Sequence, residues 1–106
     1  MAYFIATYTH PDEEGWKKHL QAHIDFLIDC VEKGKIFSSG PFIDTPVRSA
    51  AIIFQVEDRK EVEALVAKDP YTIYGQVGEC VIREWKPLFG TLADGKNEVP
   101  KVFLKS

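Results

Sequence analysis

The chain lacks any apolar run near the roughly 18–20 residues that a membrane-crossing helix requires, so no membrane partner is expected. It also lacks a basic excess: 13 Lys and Arg stand against 16 Asp and Glu, a formal net charge of −3. A protein that grips phosphate backbones carries a basic patch, so no nucleic-acid partner is expected. Cysteine is scarce. Cys30 and Cys80 are the only two, 50 positions apart, and form neither a CxxC pair nor a zinc spacing. Both are expected to be unpaired, small, buried hydrophobes in a reducing, cytoplasmic setting. No basic segment followed by a long apolar stretch opens the chain, so no secretory leader is expected. Internal repeats, low-complexity stretches and a serine flanked as in a nucleophile elbow are absent too.

What is present is the composition of a soluble globular domain, 45% hydrophobic and 27% charged. A chain of 106 residues supports one domain rather than two. Folding should bury about 65% of its extended surface, enough for a core without disulfide or metal staples.

Residues 3–9, aromatic and β-branched, read as a strand. After His10-Pro11 come Asp12, Glu13 and Glu14, which suit the positive end of a helix. The spacing of Trp16, Leu20, Ile24, Leu27, Ile28 and Val31 predicts one helix running to Lys33, with that set as its buried face and Gly34 as its stop. Residues 35–39 read as a short strand ending at Gly40-Pro41. Residues 42–48 read as a loop and 49–56 as a strong strand. Asp58 and Glu61 have the spacing of a capping box, with Asp in place of Ser or Thr, opening a second helix. Pro70 disfavours helical geometry at Asp69 and ends that helix near Lys68. Residues 71–76 are a one-turn or irregular connection, 77–85 a last strand, and 89–106 an extended tail.

The order β-α-β-β-α-β is that of a ferredoxin-like α+β fold, two helices on one face of a four-stranded antiparallel sheet. The strands at 3–9 and 49–56 are apolar on both faces, and helices can cover only one. A second apolar face left in water would be a large exposed patch. Pairing of two such faces in a homodimer with a two-fold axis is therefore expected.

His23 lies beside Leu27, just off the apolar face. A histidine at such an edge is commonly structural, its ring bonded to a backbone carbonyl. The alternative is a proton-transfer group. His19 sits one turn earlier, but no third ligand is near in sequence, so no metal is expected. Asp69-Pro70 is a common turn former; equally, proline can hold the carboxylate at a pocket rim, where it orients a histidine. Ser38-Ser39-Gly40-Pro41 is either a plain strand end or a place where small residues admit a ligand to the backbone. Arg83 can hold an anionic substrate or pair with Glu79. Tyr71, Tyr74, Phe42 and Trp85 can line an aromatic pocket, although aromatics more often serve core or interface.

Taken in order, His23-Ile24-Asp25-Phe26-Leu27, Gly34-Lys35, Ser39-Gly40-Pro41, Asp69-Pro70-Tyr71 and Ile82-Arg83-Glu84-Trp85 make a pattern that resembles the YciI-like (YCII-related) family. The resemblance covers about residues 2–86, within a domain placed at 1–88. It implies a ferredoxin-like fold that dimerises through its sheets as a dimeric α/β barrel, akin to muconolactone isomerase. It implies a catalytic set of His23, Asp69 and Ser39; from the residues themselves, Arg83, Tyr71 and Gly40 are expected in contact with a small-molecule substrate. It implies no cofactor. Lyase or isomerase chemistry on a small aromatic-derived metabolite follows, of the kind a dehydrochlorinase in the family performs. A ligand-binding module or a cofactor-free monooxygenase of the same barrel group are the competing functions. Two departures stand out: Glu84 where the family motif commonly has proline, and a longer tail.

Overall fold

The structure, a computed structural model, describes residues 1–90 and residue 92. The rest of the tail expected at 89–106 lies outside the described residues. Strand β1 (Ala2–Thr9) is followed by helices α1 (Glu13–Lys18) and α2 (Leu20–Glu32). Then come β2 (Ile36–Pro41), β3 (Ser49–Val56), α3 (Arg59–Lys68), the single turn α4 (Pro70–Ile73) and β4 (Cys80–Trp85). The sheet order is β2-β3-β1-β4, all pairs antiparallel. This is the ferredoxin-like α+β arrangement. No helix among the described residues is long and apolar enough to cross a membrane.

Alternation places the core. Phe4, Ala6 and Tyr8 of β1 and Ile52, Phe54 and Val56 of β3 point to the helices and are buried with Ile36, Cys30 and Val62. Their cross-strand register, Phe4 with Phe54 and Ala6 with Ile52, stacks the two strands' apolar sets on one face. The intervening residues, Tyr3, Ile5, Thr7, Ala51 and Ile53, form the other face and are half-buried.

Four sequence expectations need correction. The single helix to Lys33 is two helices, broken at His19. The break frees the Trp16 carbonyl, which accepts the Tyr71 hydroxyl at 2.9 Å. The buried face of α2 is also rotated. Cys30, Phe26 and Leu27 pack on the sheet, whereas Ile28 and Val31 are about half exposed, at 51% and 53%. Strand β2 continues through Gly40-Pro41. Proline is tolerated there because β2 is an edge strand. A bulge between Ile36 and Ser38 turns Phe37 outward. Finally, Cys80 is exposed rather than buried, because β4 is the opposite edge; both cysteines are free.

The second helix opens as expected. Asp58 accepts the Glu61 amide at 2.9 Å, but Glu61 reaches back to the Glu57 amide, one residue before the cap. Helix α2 ends at Gly34, whose φ of 74° is the left-handed conformation that glycine adopts without strain.

Candidate active site

Asp69 and Pro70 build the centre of the site. Asp69 is extended, with ψ at 128°, as a residue before proline should be. Its side chain then caps α4, accepting the Tyr71 amide at 2.9 Å. Pro70 takes the first helical position, where its missing N–H is no loss. The same carboxylate, 1% exposed, meets His23 from α2: Nδ1 lies 2.8 Å from Oδ1 and 3.0 Å from Oδ2. Two loci 46 positions apart thus form one buried pair.

The hydrogen-bond partners decide the imidazole's tautomer. A carboxylate only accepts, so Nδ1 carries the proton. Nε2 makes no hydrogen bond among the described residues and holds the lone pair when the ring is neutral. That is the arrangement of a general base with an orienting carboxylate. Tyr71 completes it. Its ring stacks on His23 with centroids 3.9 Å apart and planes 6° apart, and its hydroxyl is tied to Trp16. The imidazole is therefore held by an in-plane bond and by a ring against its face.

His23 and Tyr71 line a cavity of about 390 Å³ between α2 and the β2–β3 edge of the sheet. That lies toward the small end of the range for small-molecule sites, about 300–1,000 Å³. Leu20, Ile24, Leu27, Ile28 and Val31 form its apolar wall, which explains why the outer residues of the periodic set on α2 are not in the core. Ser39, Gly40 and Pro41 form the opposite rim. Ser39 pairs with the buried Ile52 and so lies on the helix face of the sheet.

The structure thus brings His23, Asp69, Ser39, Gly40 and Tyr71 together. Asp69 stands behind His23, not at a pocket rim, because it must cap α4 from within. Arg83 is not brought to the cavity. It pairs with Ile5, on the sheet face away from the helices, and forms no ion pair with Glu79 among the described residues. The expected aromatic pocket reduces to Tyr71. Trp85 meets Tyr3 edge to face, Tyr74 stacks on His19, and Phe42 lines a groove on the other side. Among the described residues no three His, Cys, Asp or Glu side chains are grouped to hold a metal.

Two lining residues escaped the sequence reading, His10 and Arg48. His10 is 4% exposed and donates from Nδ1 to the Gln76 carbonyl at 2.8 Å. Its ring contacts Tyr8, Tyr71 and His23. The signal was available: His10 continues the inward alternation of Phe4, Ala6 and Tyr8. Burial lowers its pKa from the ordinary histidine value, and the Gln76 carbonyl opposes that. Arg48 ends a loop with no periodicity, so no pattern pointed to it. The His10 amide donates to its carbonyl at 2.7 Å, which fixes the loop beside the cavity.

A family model, the YCII-related domain, matches residues 1–86. No curated protein sequence is significantly similar to the chain. Several solved structures share the fold. One is a 5-chloro-2-hydroxyhydroquinone dehydrochlorinase from Burkholderia phenoliruptrix in complex with 2,5-dihydroxybenzoquinone. It is 23% identical over 81% of this chain and 94% of its own, with a TM-score of 0.68. A protein from Agrobacterium tumefaciens, Atu4242, is 16% identical over 89% of this chain and 98% of its own, with a TM-score of 0.58. An antibiotic biosynthesis monooxygenase is 13% identical over 82% and 98%, with a TM-score of 0.56. At these identities the likeness establishes the fold alone. With the family model spanning the whole βαββαβ unit, from β1 through β4, the chain belongs to the YCII-related family.

Proposed function

We propose that the chain is a small enzyme that moves a proton on an aromatic-derived metabolite, with His23 Nε2 as the proton carrier and no cofactor. The observation that carries this reading is the two-oxygen contact of Asp69 with His23 Nδ1 at the wall of an apolar cavity. In an elimination, Nε2 takes a proton from the substrate while the leaving group departs with its bonding pair. In an isomerisation, the same nitrogen returns the proton at another carbon. Asp69 supports the imidazolium that both steps create. Ser39 and the Gly40 backbone lie where a substrate oxygen can be bound, and Tyr71 gives the cavity an aromatic floor. The fold shared with a dehydrochlorinase of a hydroxyhydroquinone supports the substrate class.

The homodimer belongs to the same proposal. Tyr3, Ile5, Ala51, Ile53 and Val81 lie on the sheet face that no helix among the described residues covers, flanked by Trp85 at 38% exposure. Sedimentation at micromolar concentration should return twice the chain mass; a stable monomer would remove this part.

Phenols, quinones and lactones screened by thermal shift, then assayed for turnover, test the chemistry. His23→Ala should lose about 10²–10⁴-fold in rate on any substrate found, the usual contribution of a general base. A variant that turns the substrate over as the natural chain does overturns the proposal. Hits that bind without reacting would make the cavity a binding site only.

A further inference from the structure

We propose that Arg48 anchors a delocalised anion, so that the molecule filling the His23 cavity is an amphiphile. Its acidic oxygens would lie at the His10–Arg48 end and its apolar body along α2. The inference rests on the proton-transfer reading only in taking that molecule to be a substrate.

Arg48 is placed for this by contacts on both sides of its own backbone and side chain. Its carbonyl is tied to the His10 amide, and its guanidinium lies over the Trp16 ring, 4.0 Å from the centroid. That cation–π contact takes up none of the guanidinium's N–H donors in an ion pair and leaves them for an acceptor. No carboxylate among the described residues forms an ion pair with it. Glu13 lines the neighbouring hollow that Arg48 shares with Trp16, but Glu13 is held by Lys17 at 2.7 Å. Asp69 is engaged with His23 and the Tyr71 amide. Among the described residues, Arg48 is therefore the one arginine or lysine that lines the cavity, and it has no carboxylate partner there.

Its charge is felt at the cavity rings. Burial lowers His10 and raises Tyr71 from their ordinary values; the Arg48 charge adds to the first shift and opposes the second. From this polar cluster the apolar wall runs along α2 to Val31, eight positions beyond His23, about 12 Å of helix. A guanidinium fork matches two oxygens better than one. The fitting ligand classes share that feature: an aromatic carboxylate, or an ionised hydroxyquinone, its vinylogue.

Two matched pairs of probes test this by calorimetry at pH 7 and low salt. They are 3-phenylpropanoate against 3-phenylpropanamide, and 2,5-dihydroxybenzoquinone against its dimethyl ether. Both run in a Cys80→Ser background, so that the exposed thiol adds to no quinone. In at least one pair the anion should bind ten-fold or more tighter than its neutral partner. Arg48→Met should abolish that preference, and Arg48→Lys should keep only part of it. His23→Ala should keep it. No preference in either pair, or a preference that survives Arg48→Met, overturns the anchor. If Arg48→Met loses anion binding while His23→Ala turns over substrate normally, the anchor stands and the proton-transfer reading falls.

Discussion

Replacing Asp69 separates structure from chemistry at a single side chain. Its carboxylate caps α4 through the Tyr71 amide and holds the His23 ring, all at 1% exposure. Asp69→Ala removes a helix cap, about 1 kcal/mol, and a charge-assisted hydrogen bond, about 1.5–3 kcal/mol. A total loss of about 2.5–4 kcal/mol is expected in urea unfolding, a large fraction of the 5–15 kcal/mol typical of a domain. Asp69→Asn keeps the cap oxygen and the volume, so its loss should be about 1–2 kcal/mol. The chemistry should respond in the opposite sense. In the natural chain the carboxylate holds the proton on Nδ1. In the asparagine variant the retained cap oxygen still faces Nδ1, but the second oxygen, 3.0 Å from Nδ1, becomes an NH₂ group and the negative charge is lost, and both changes favour a proton on Nε2 instead. The basic nitrogen at the cavity is then lost, with turnover expected to fall about 10²–10⁴-fold. Long-range ¹H–¹⁵N NMR of the His23 ring reads the tautomer directly and needs no substrate. If Asp69→Asn keeps the Nδ1–H tautomer, or Asp69→Ala unfolds within 0.5 kcal/mol or so of the natural chain, the account of this pair is wrong.

His10 should make stability depend on pH. Burial keeps its folded pKa below the ordinary value near 6.5, so the unfolded chain binds the extra proton first. Its contribution is present above pH 6.5 and lost as the pH falls, by up to about 1.4 kcal/mol per unit. Unfolding at pH 7, 6 and 5 should show a slope that His10→Asn reduces; equal slopes would refute it. At Gly34, with φ at 74°, alanine should lower stability by about 1 kcal/mol, although a Cβ there meets no neighbour. Native thiol titration should label Cys80 promptly and Cys30 only after unfolding, given their exposed and buried positions. Equal labelling rates would contradict the placement of β4 at the sheet edge.

Sequence alone determined the parts whose signals are local. Alternation along 3–9 and 49–56 named both central strands and sorted their residues into two faces, but which face is inward only the packing of the helices decided. Asp58, Gly34 and Pro70 marked helix ends through backbone chemistry that acts over a few residues. The pairing of His23 with Asp69 was legible only as a family pattern, since periodicity placed the histidine at a helix edge and no further. Tertiary structure decided the rest. The apolar stripe on α2 has the same period whether it packs on a sheet or walls a cavity, and only the helix's rotation assigns Phe26 and Cys30 to the core and Ile28 and Val31 to the site. Arg83 stood out in sequence as an anion binder, and Arg48 did not. The strand register puts the first on the face away from the helices, and one backbone bond from His10 brings the second to the cavity. Asp69's depth has the same origin: a carboxylate that caps α4 and meets α2 has to lie between them, where neither helix alone could have placed it.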